Sequence, residues 1–349
     1  MPGSVFTNGA FSLGFDGSPA GALLWTQLNN GSANSSITPY GRGFSWYIGN
    51  GCGILLGENI TTLTVGFWWY GASLPSSGWG TAGIFSFFDA TAAAIQVALR
   101  LSTTGQLGFF LGSGTGTQLG ASSAALTLQA DVGAYIEVNI SGVGASSSLT
   151  CHVNGSAVIT AASVNTKSTA NAYVNAVQFL QPAGSSYYID DWYMLDGSGA
   201  LGTTFFGIVQ VCGDAASANS AVGGRNAWIG SPATGANTYQ NVAHVPANIA
   251  DYDYDNTVGN YDMFRFPTLP AGYTVMFMTE WAVTLLDAAG PRTVGLNIYS
   301  GGTDSLATAF TPSSSPTLVS QTSLVDPNTN AAWLLAAAAA AELGVKVVS

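Results

Sequence analysis

Along residues 40–195, short runs rich in apolar, β-branched and aromatic side chains alternate with Gly, Ser, Asn or Pro turns, a pattern that predicts consecutive short strands packed as a sandwich. The runs fall at 61–70, 83–88, 94–101, 106–111, 134–140, 148–153, 172–181 and 187–195. Over 94–101 the alternation sets Gln96, Ala98 and Arg100 on one side and Val97, Leu99 and Leu101 on the other, as a half-buried strand requires. Residues 149–160 read as two strands joined at Asn154-Gly155, because Asn-Gly accepts the two positive φ angles of a type I′ hairpin turn.

The pattern breaks at 196–202 (DGSGALG). After Gly213 a polar stretch of Gly, Ala, Ser and Asn runs to about 240 with Trp228 and Ile229 as its apolar anchors. This divides the chain into an N-terminal arm or first strands (1–40), a sandwich (41–200), a connector (201–240) and a second β-rich domain (241–349). Strands are expected there at 263–266, 273–286 and 294–300, with turns at 269–272 and 288–291. Alanine-rich 331–343, closed by Gly344, predicts one short helix, and 345–349 reads as extended. The expected fold is all-β: a lectin-like jelly-roll sandwich followed by a smaller β-rich domain with one short C-terminal helix.

Composition supports folded rather than disordered chain. Of 349 residues, 47% are hydrophobic and 11% aromatic, while only 7% are charged against roughly 25% in an ordinary domain. The surface is therefore clothed in Ser, Thr, Asn, Gln and Gly. Net charge is −11, and the seven cations at 42, 100, 167, 225, 265, 292 and 346 never cluster, which excludes polyanion binding and hence a nucleic-acid partner. No apolar run reaches membrane-spanning length, so no membrane partner is expected. The start, MPGSVFTNGAFSLGF, has no leader-peptide pattern, so the product is expected to stay in the cytoplasm where it is made until something releases it. Cys52, Cys151 and Cys212 lie far apart and read as small buried hydrophobes. The N-x-S/T sequons at Asn30, Asn59, Asn139 and Asn154 matter only in a secretory pathway.

Three patches resemble a known family: 187–207 (YYIDDWYMLDGSGALGTTFFG), 297–303 (NIYSGGT), and the ending at Ala331-Ala332-Trp333 with Leu343-Gly344-Val345-Lys346-Val347-Val348. They are similar to phage virion structural proteins in which a concanavalin-A/LamG-like jelly roll is joined to a C-terminal β domain. The resemblance spans most of 40–349 in short patches. Its most specific element is IDD-x-Y-x-LD at 189–196, where Trp192 and Met194 replace the smaller aliphatics usual in the family. It implies a multi-copy, non-enzymatic component of a bacteriophage virion exterior, assembled in the host cytoplasm. A tail, fibre or collar position is expected, with a capsid decoration protein and a carbohydrate-binding adhesin as alternatives. Implied partners are other virion proteins, further copies of the chain, and a host surface glycan.

Each candidate for chemistry has a plainer reading. Asp190-Asp191 is the obvious carboxylate pair, but adjacent strand residues face opposite sides and do not flank one glycosidic bond, so hydrogen bonding to a turn is expected instead. Of the two histidines, His152 alternates with Thr150 and Asn154 on the solvent side of its strand and His244 has no nucleophile motif beside it. The acids of 251–262 mimic a calcium loop at relative positions 1, 3, 5 and 12. The mimicry ends there: Asn256 stands where Gly is needed and Asp262 where Glu is needed, and an acidic, Tyr-bearing surface turn is expected. The run Phe67-Trp68-Trp69-Tyr70 puts half its rings in a core and half outside, and the polar loop 29–36, before Arg42 and Trp46, suits subunit packing. No catalytic, cofactor or metal site follows, and no cofactor is expected.

Overall fold

A computed structural model describes residues 5–7, 32–34, 45–48, 52–80, 83–113, 116–197, 205–209, 216–243, 248, 250–267, 269, 271–286 and 292–349. The chain divides into two compact units, Met1–Val211 and Cys212–Ser349. Within the stretch expected as a connector, 201–240, Phe205 stacks on His152 of the first unit, and Ala218–Asn219 form a strand of the second.

The first unit holds β1 (Val5–Thr7), β2 (Ser32–Asn34), β3 (Ser45–Ile48), β4 (Cys52–Ile60), β5 (Thr62–Gly71), β6 (Phe85–Asp89) and β7 (Ala94–Leu101). It continues with β8 (Leu107–Leu111), β9 (Gln118–Leu119), β10 (Ala134–Ser141), β11 (Ser147–Val153), β12 (Ser156–Val164), β13 (Val174–Phe179) and β14 (Tyr187–Leu195). The larger sheet runs β12-β11-β10-β5-β14-β3-β2, with β1 paired on β14, and the smaller runs β4-β13-β6-β7-β8-β9. Every named pairing is antiparallel, and the two sheets share one core, so the unit is a two-sheet antiparallel β-sandwich.

Period-two alternation builds its core. Leu63, Val65, Phe67 and Trp69 on β5 stand opposite Ile140, Val138, Ile136 and Ala134 on β10, and all eight are buried in one cluster. Across the gap Phe67 meets Phe179 edge-on at 5.0 Å and stacks on Phe85 at 5.8 Å. Such fully buried rings each contribute about 2–3 kcal/mol of transfer free energy. The Asn154-Gly155 turn has φ of 50° and 78°, both positive as type I′ demands, and the Asn154 side chain accepts the Tyr135 N–H at 2.8 Å.

One alternation misleads. Gln96 and Arg100, expected on a solvent side, are 0% and 3% exposed. Residues 168–173 fold over that side: Gln96 donates to Thr169, Asn171 and Tyr173 and accepts the Ser168 N–H at 2.8 Å. The Arg100 guanidinium lies 4.5 Å from the Phe110 ring centre, and Trp79 packs edge-on against that ring. The strand is right and its half-burial is wrong, because the cover comes from residues distant in sequence.

The second unit contains β15 (Ala218–Asn219), β16 (Ile229–Ser231), α1 (Tyr239–Val242), β17 (Tyr252–Tyr254), β18 (Tyr261–Arg265) and β19 (Met278–Thr284). It ends with β20 (Val294–Ser300), β21 (Thr303–Leu306), β22 (Thr317–Ser323), α2 (Leu335–Ala340) and β23 (Glu342–Val347). A five-stranded sheet runs β15-β18-β23-β20-β21, beside ribbons β16-β17 and β19-β22. The expected 331–343 helix shrinks to α2, and the residues after it form the central strand β23. Backbone bonding to β18 and β20 on both sides and burial of Ala341 and Leu343 with Ile298 and Trp333 outweigh alanine's helix propensity. The single turn of α1 was not anticipated.

Candidate functional site

The outer face of the larger sheet gathers the polar and aromatic side chains that its strands do not send inward. Tyr47 on β3, Tyr188 on β14 and Tyr70 on β5 are directly opposed across three neighbouring strands. Their ring centres lie 5.3 Å (Tyr47 to Tyr188) and 6.2 Å (Tyr188 to Tyr70) apart, and each ring is half-buried. Trp68, two residues from Tyr70 and hence on the same face, lies at 5.9 Å and within 18° of parallel to it. The Tyr70 hydroxyl donates to Asp131 Oδ1 at 3.0 Å, and this hydrogen bond to a carboxylate, with burial, raises the Tyr70 pKa. The result is a tyrosine ladder ending at an exposed carboxylate.

Beside the ladder lies a sealed polar group. Glu137 on β10 stands opposite His152 on β11 and Gly66 on β5, and Gly66 in turn faces Tyr193 on β14. Glycine at 66 lets the Tyr193 ring cross to Glu137, since a Cβ there would come within 2.2 Å of Tyr193 Cε1. The Tyr193 hydroxyl donates to Glu137 Oε1 at 2.5 Å and the Gly207 N–H donates to the same oxygen at 3.0 Å. Phe205 stacks on His152 at 3.9 Å and Phe206 packs on Tyr193 at 4.8 Å, so residues 205–207 close over the group. Burial raises the Glu137 pKa against these hydrogen bonds, and burial first and the Glu137 charge second push the Tyr193 phenol up. Glu137 and Tyr193 are both 0% exposed.

Asp190 and Asp191 sit at a break in the β14–β5 register between Asp190 and Tyr193, and Asp191 has φ of 46°. The bulge removes the strict alternation on which opposite facing was expected. Asp190 Oδ1 accepts the Asp191 N–H at 2.8 Å, so it bonds its own neighbour rather than another turn. Both carboxyls are buried. Burial first, and then the nearby Asp191 charge, push Asp190 up to about 8. The bulged strand also offers the Asp191 carbonyl to the Tyr135 hydroxyl at 2.7 Å.

The other sequence candidates are dispersed. His152 lies on the outer side of its strand, but half-buried beneath Phe205 instead of open to solvent. Residues 251–262 supply β17 and the first residues of β18 rather than a single surface turn, and Asp262 is 2% exposed. Burial, with the Asp253 charge beside it, pushes Asp262 up to about 9, while Asp253 accepts from Asn241 Nδ2 at 2.6 Å. Among the described residues no group of three or more His, Cys, Asp or Glu is placed to hold a metal ion. Phe67 and Trp69 enter the core and Trp68 and Tyr70 the outer face. Cys151 is buried, which pushes its thiol up. Trp46 lies on β3 and 32–34 form β2, while His244, Arg42, Cys212 and the rest of loop 29–36 lie outside the described residues, as does the Cys52 side chain.

Sequence reasoning missed Tyr47, Tyr188, Asp131, Glu137 and Tyr193. A signal existed for Glu137, the single charge inside the apolar run 134–140. Tyr188 shares parity with Asp190 and so shares its face, but its neighbours Tyr47 and Tyr70 are set by strand order alone.

The fold defines an all-β protein whose first unit is an antiparallel β-sandwich. No family model and no curated protein sequence matches the chain. Among solved structures it is similar to the binding domain of botulinum neurotoxin DC in complex with SialylT (13% identity, 57% of this chain, 44% of that one, TM-score 0.34). It is also similar to alginate lyase Aly36B (13%, 57% and 100%, 0.34) and to carbohydrate-binding module CBM66 from Bacillus subtilis (12%, 48% and 91%, 0.30). Likeness at this level leaves the site to be argued from the chain's own residues.

Proposed function

We propose that this chain is a non-enzymatic glycan-binding protein whose site is the Tyr47–Tyr188–Tyr70 ladder. The observation that carries this is the ladder itself: three half-buried rings in line across three rigid strands, with hydroxyls beside apolar ring faces. A pyranose presents the complementary pattern of C–H faces and hydroxyl edges, and rings held by a sheet bind with little loss of side-chain freedom. Binding rather than turnover is the reading we take: Glu137, Asp190 and Asp191 on the same sheet are buried, and Asp131, the exposed carboxylate at the ladder, is bonded to the Tyr70 hydroxyl. Titration of the purified chain with host surface polysaccharides tests this. Tyr188→Ala, at the centre of the ladder, is expected to weaken binding roughly tenfold, the scale of one aromatic anchor. Undiminished binding by a folded Tyr188→Ala variant refutes it.

A second proposal concerns location. The patches at 187–207, 297–303 and 331–348 support a multi-copy component of a phage virion exterior, in a tail, fibre or collar, or alternatively a capsid decoration protein. Its partners would be other virion proteins and further copies of itself. Antibody labelling of gradient-purified particles tests this: label at one vertex supports a tail appendage, label over the shell a decoration protein, and unlabelled particles refute both.

A further inference from the structure

We infer that the ladder selects uncharged pyranosides and rejects acidic saccharides such as uronates and sialosides; this rests on the glycan-binding reading above. Recognition of a sugar carboxylate calls for a cation, most effectively an arginine fork. Among the described residues of the first unit the cations are Arg100, on the smaller sheet, and Lys167, which follows β12, three strands along the larger sheet from β5. Arg100 is on β7 of the smaller sheet, buried against Phe110. Lys167 immediately precedes Ser168, whose backbone N–H binds Gln96 of that same strand. The ladder's own charged neighbour is Asp131, exposed and bonded to the terminal ring of the row.

That arrangement suits neutral hydroxyls. The Asp131 carboxylate has an oxygen free of Tyr70 to accept a sugar O–H, and a tyrosine hydroxyl both donates and accepts. A sugar carboxylate bound over the row meets like charge instead. At about 7 Å and an effective dielectric between that of a protein surface and water, the repulsion corresponds to roughly a tenfold loss of affinity. The whole-chain charge of −11 adds to it at low salt.

The test uses matched hexasaccharides with gluco, manno and galacto backbones, each as the neutral form and as its uronate counterpart, titrated against the full chain. The expected result is that a neutral member binds roughly tenfold tighter than its uronate. The gap should narrow to about threefold in 1 M salt, where screening acts within about 3 Å. Asp131→Asn, at an exposed position and checked for folding by circular dichroism, should narrow the gap at low salt by strengthening the uronate. Equal or tighter uronate binding by the wild type overturns the inference, as does a gap unmoved by both salt and Asp131→Asn. Failure of every saccharide to bind a folded chain refutes the glycan reading itself, and the inference with it, and is distinguishable because no pair then shows a difference to measure.

Discussion

Tyr193→Phe takes one hydroxyl from the sealed group and leaves the ring. In the native protein Glu137 Oε1 receives the Tyr193 hydroxyl at 2.5 Å and the Gly207 N–H at 3.0 Å. A hydrogen bond to a charged acceptor contributes about 1.5–3 kcal/mol, and the missing oxygen leaves too little space for a water to replace it. Once pH has risen through the folded pKa and the carboxyl is ionised, the loss should therefore be about 2–3 kcal/mol. The effect must also depend on pH. Burial holds the Glu137 pKa above its ordinary value, so the native state keeps its proton where the unfolded chain has lost it. For such a group the stabilisation is present below the unfolded pKa of about 4.3 and is lost as pH rises through the folded pKa. The phenol donor opposes that rise, and its removal steepens the decline. At pH 4, with a neutral carboxyl, the variant should lose only about 1 kcal/mol, the value of a neutral bond. Hydrogen exchange in a urea series, read on peptides from Ala134–Ser141, measures this within the first unit, and peptides from Val294–Ser300 serve as control. A loss below about 0.5 kcal/mol in both pH ranges, or one that shrinks as pH rises, would mean that the hydroxyl does not hold an ionised Glu137.

Three further outcomes follow from the same geometry. Gly66→Ala places a methyl where Tyr193 Cε1 is 2.2 Å away, and should cost about 2–3 kcal/mol by displacing that ring from Glu137, visible as a lower urea midpoint. Asp190→Asn should flatten the pH dependence of the melting temperature: with Asp190 near 8 in the folded state, the wild type loses stability as pH rises from about 4 to about 8, and an unchanged slope in the variant counts against the buried pair. Gly155→Ala forces an alanine to φ near 78° in the hairpin turn and should cost about 1–2 kcal/mol, whereas a neutral effect in thermal melts would place the turn outside type I′.

Much of the strand pattern is local and legible without coordinates. Ala94–Leu101, Tyr187–Leu195 and Val294–Ser300 lie where the apolar runs put them, and the Asn154-Gly155 hairpin follows from turn chemistry alone. Inward parity on β5 is likewise legible, because Phe67 and Trp69 alternate with Trp68 and Tyr70 whatever strand lies alongside. The departures share one cause. Leu343 is strand rather than helix because β18 and β20 flank it. Gln96 is buried because residues 168–173 fold over it, and Asp190 faces a partner set by a bulge.

The sequence by itself determined that this chain builds antiparallel sheets from short strands, with a nearly uncharged surface. Backbone periodicity and turn geometry act over a few residues, and composition needs no geometry at all. Only the tertiary structure decided which strands are neighbours, and with that the candidate site. Tyr47, Tyr70 and Tyr188 come from three strands separated by a long stretch of chain and meet because β3, β14 and β5 are adjacent. Glu137, His152 and Tyr193 are joined the same way, across Gly66. Strand order is fixed by the summed burial of a whole core, and no local pattern encodes it.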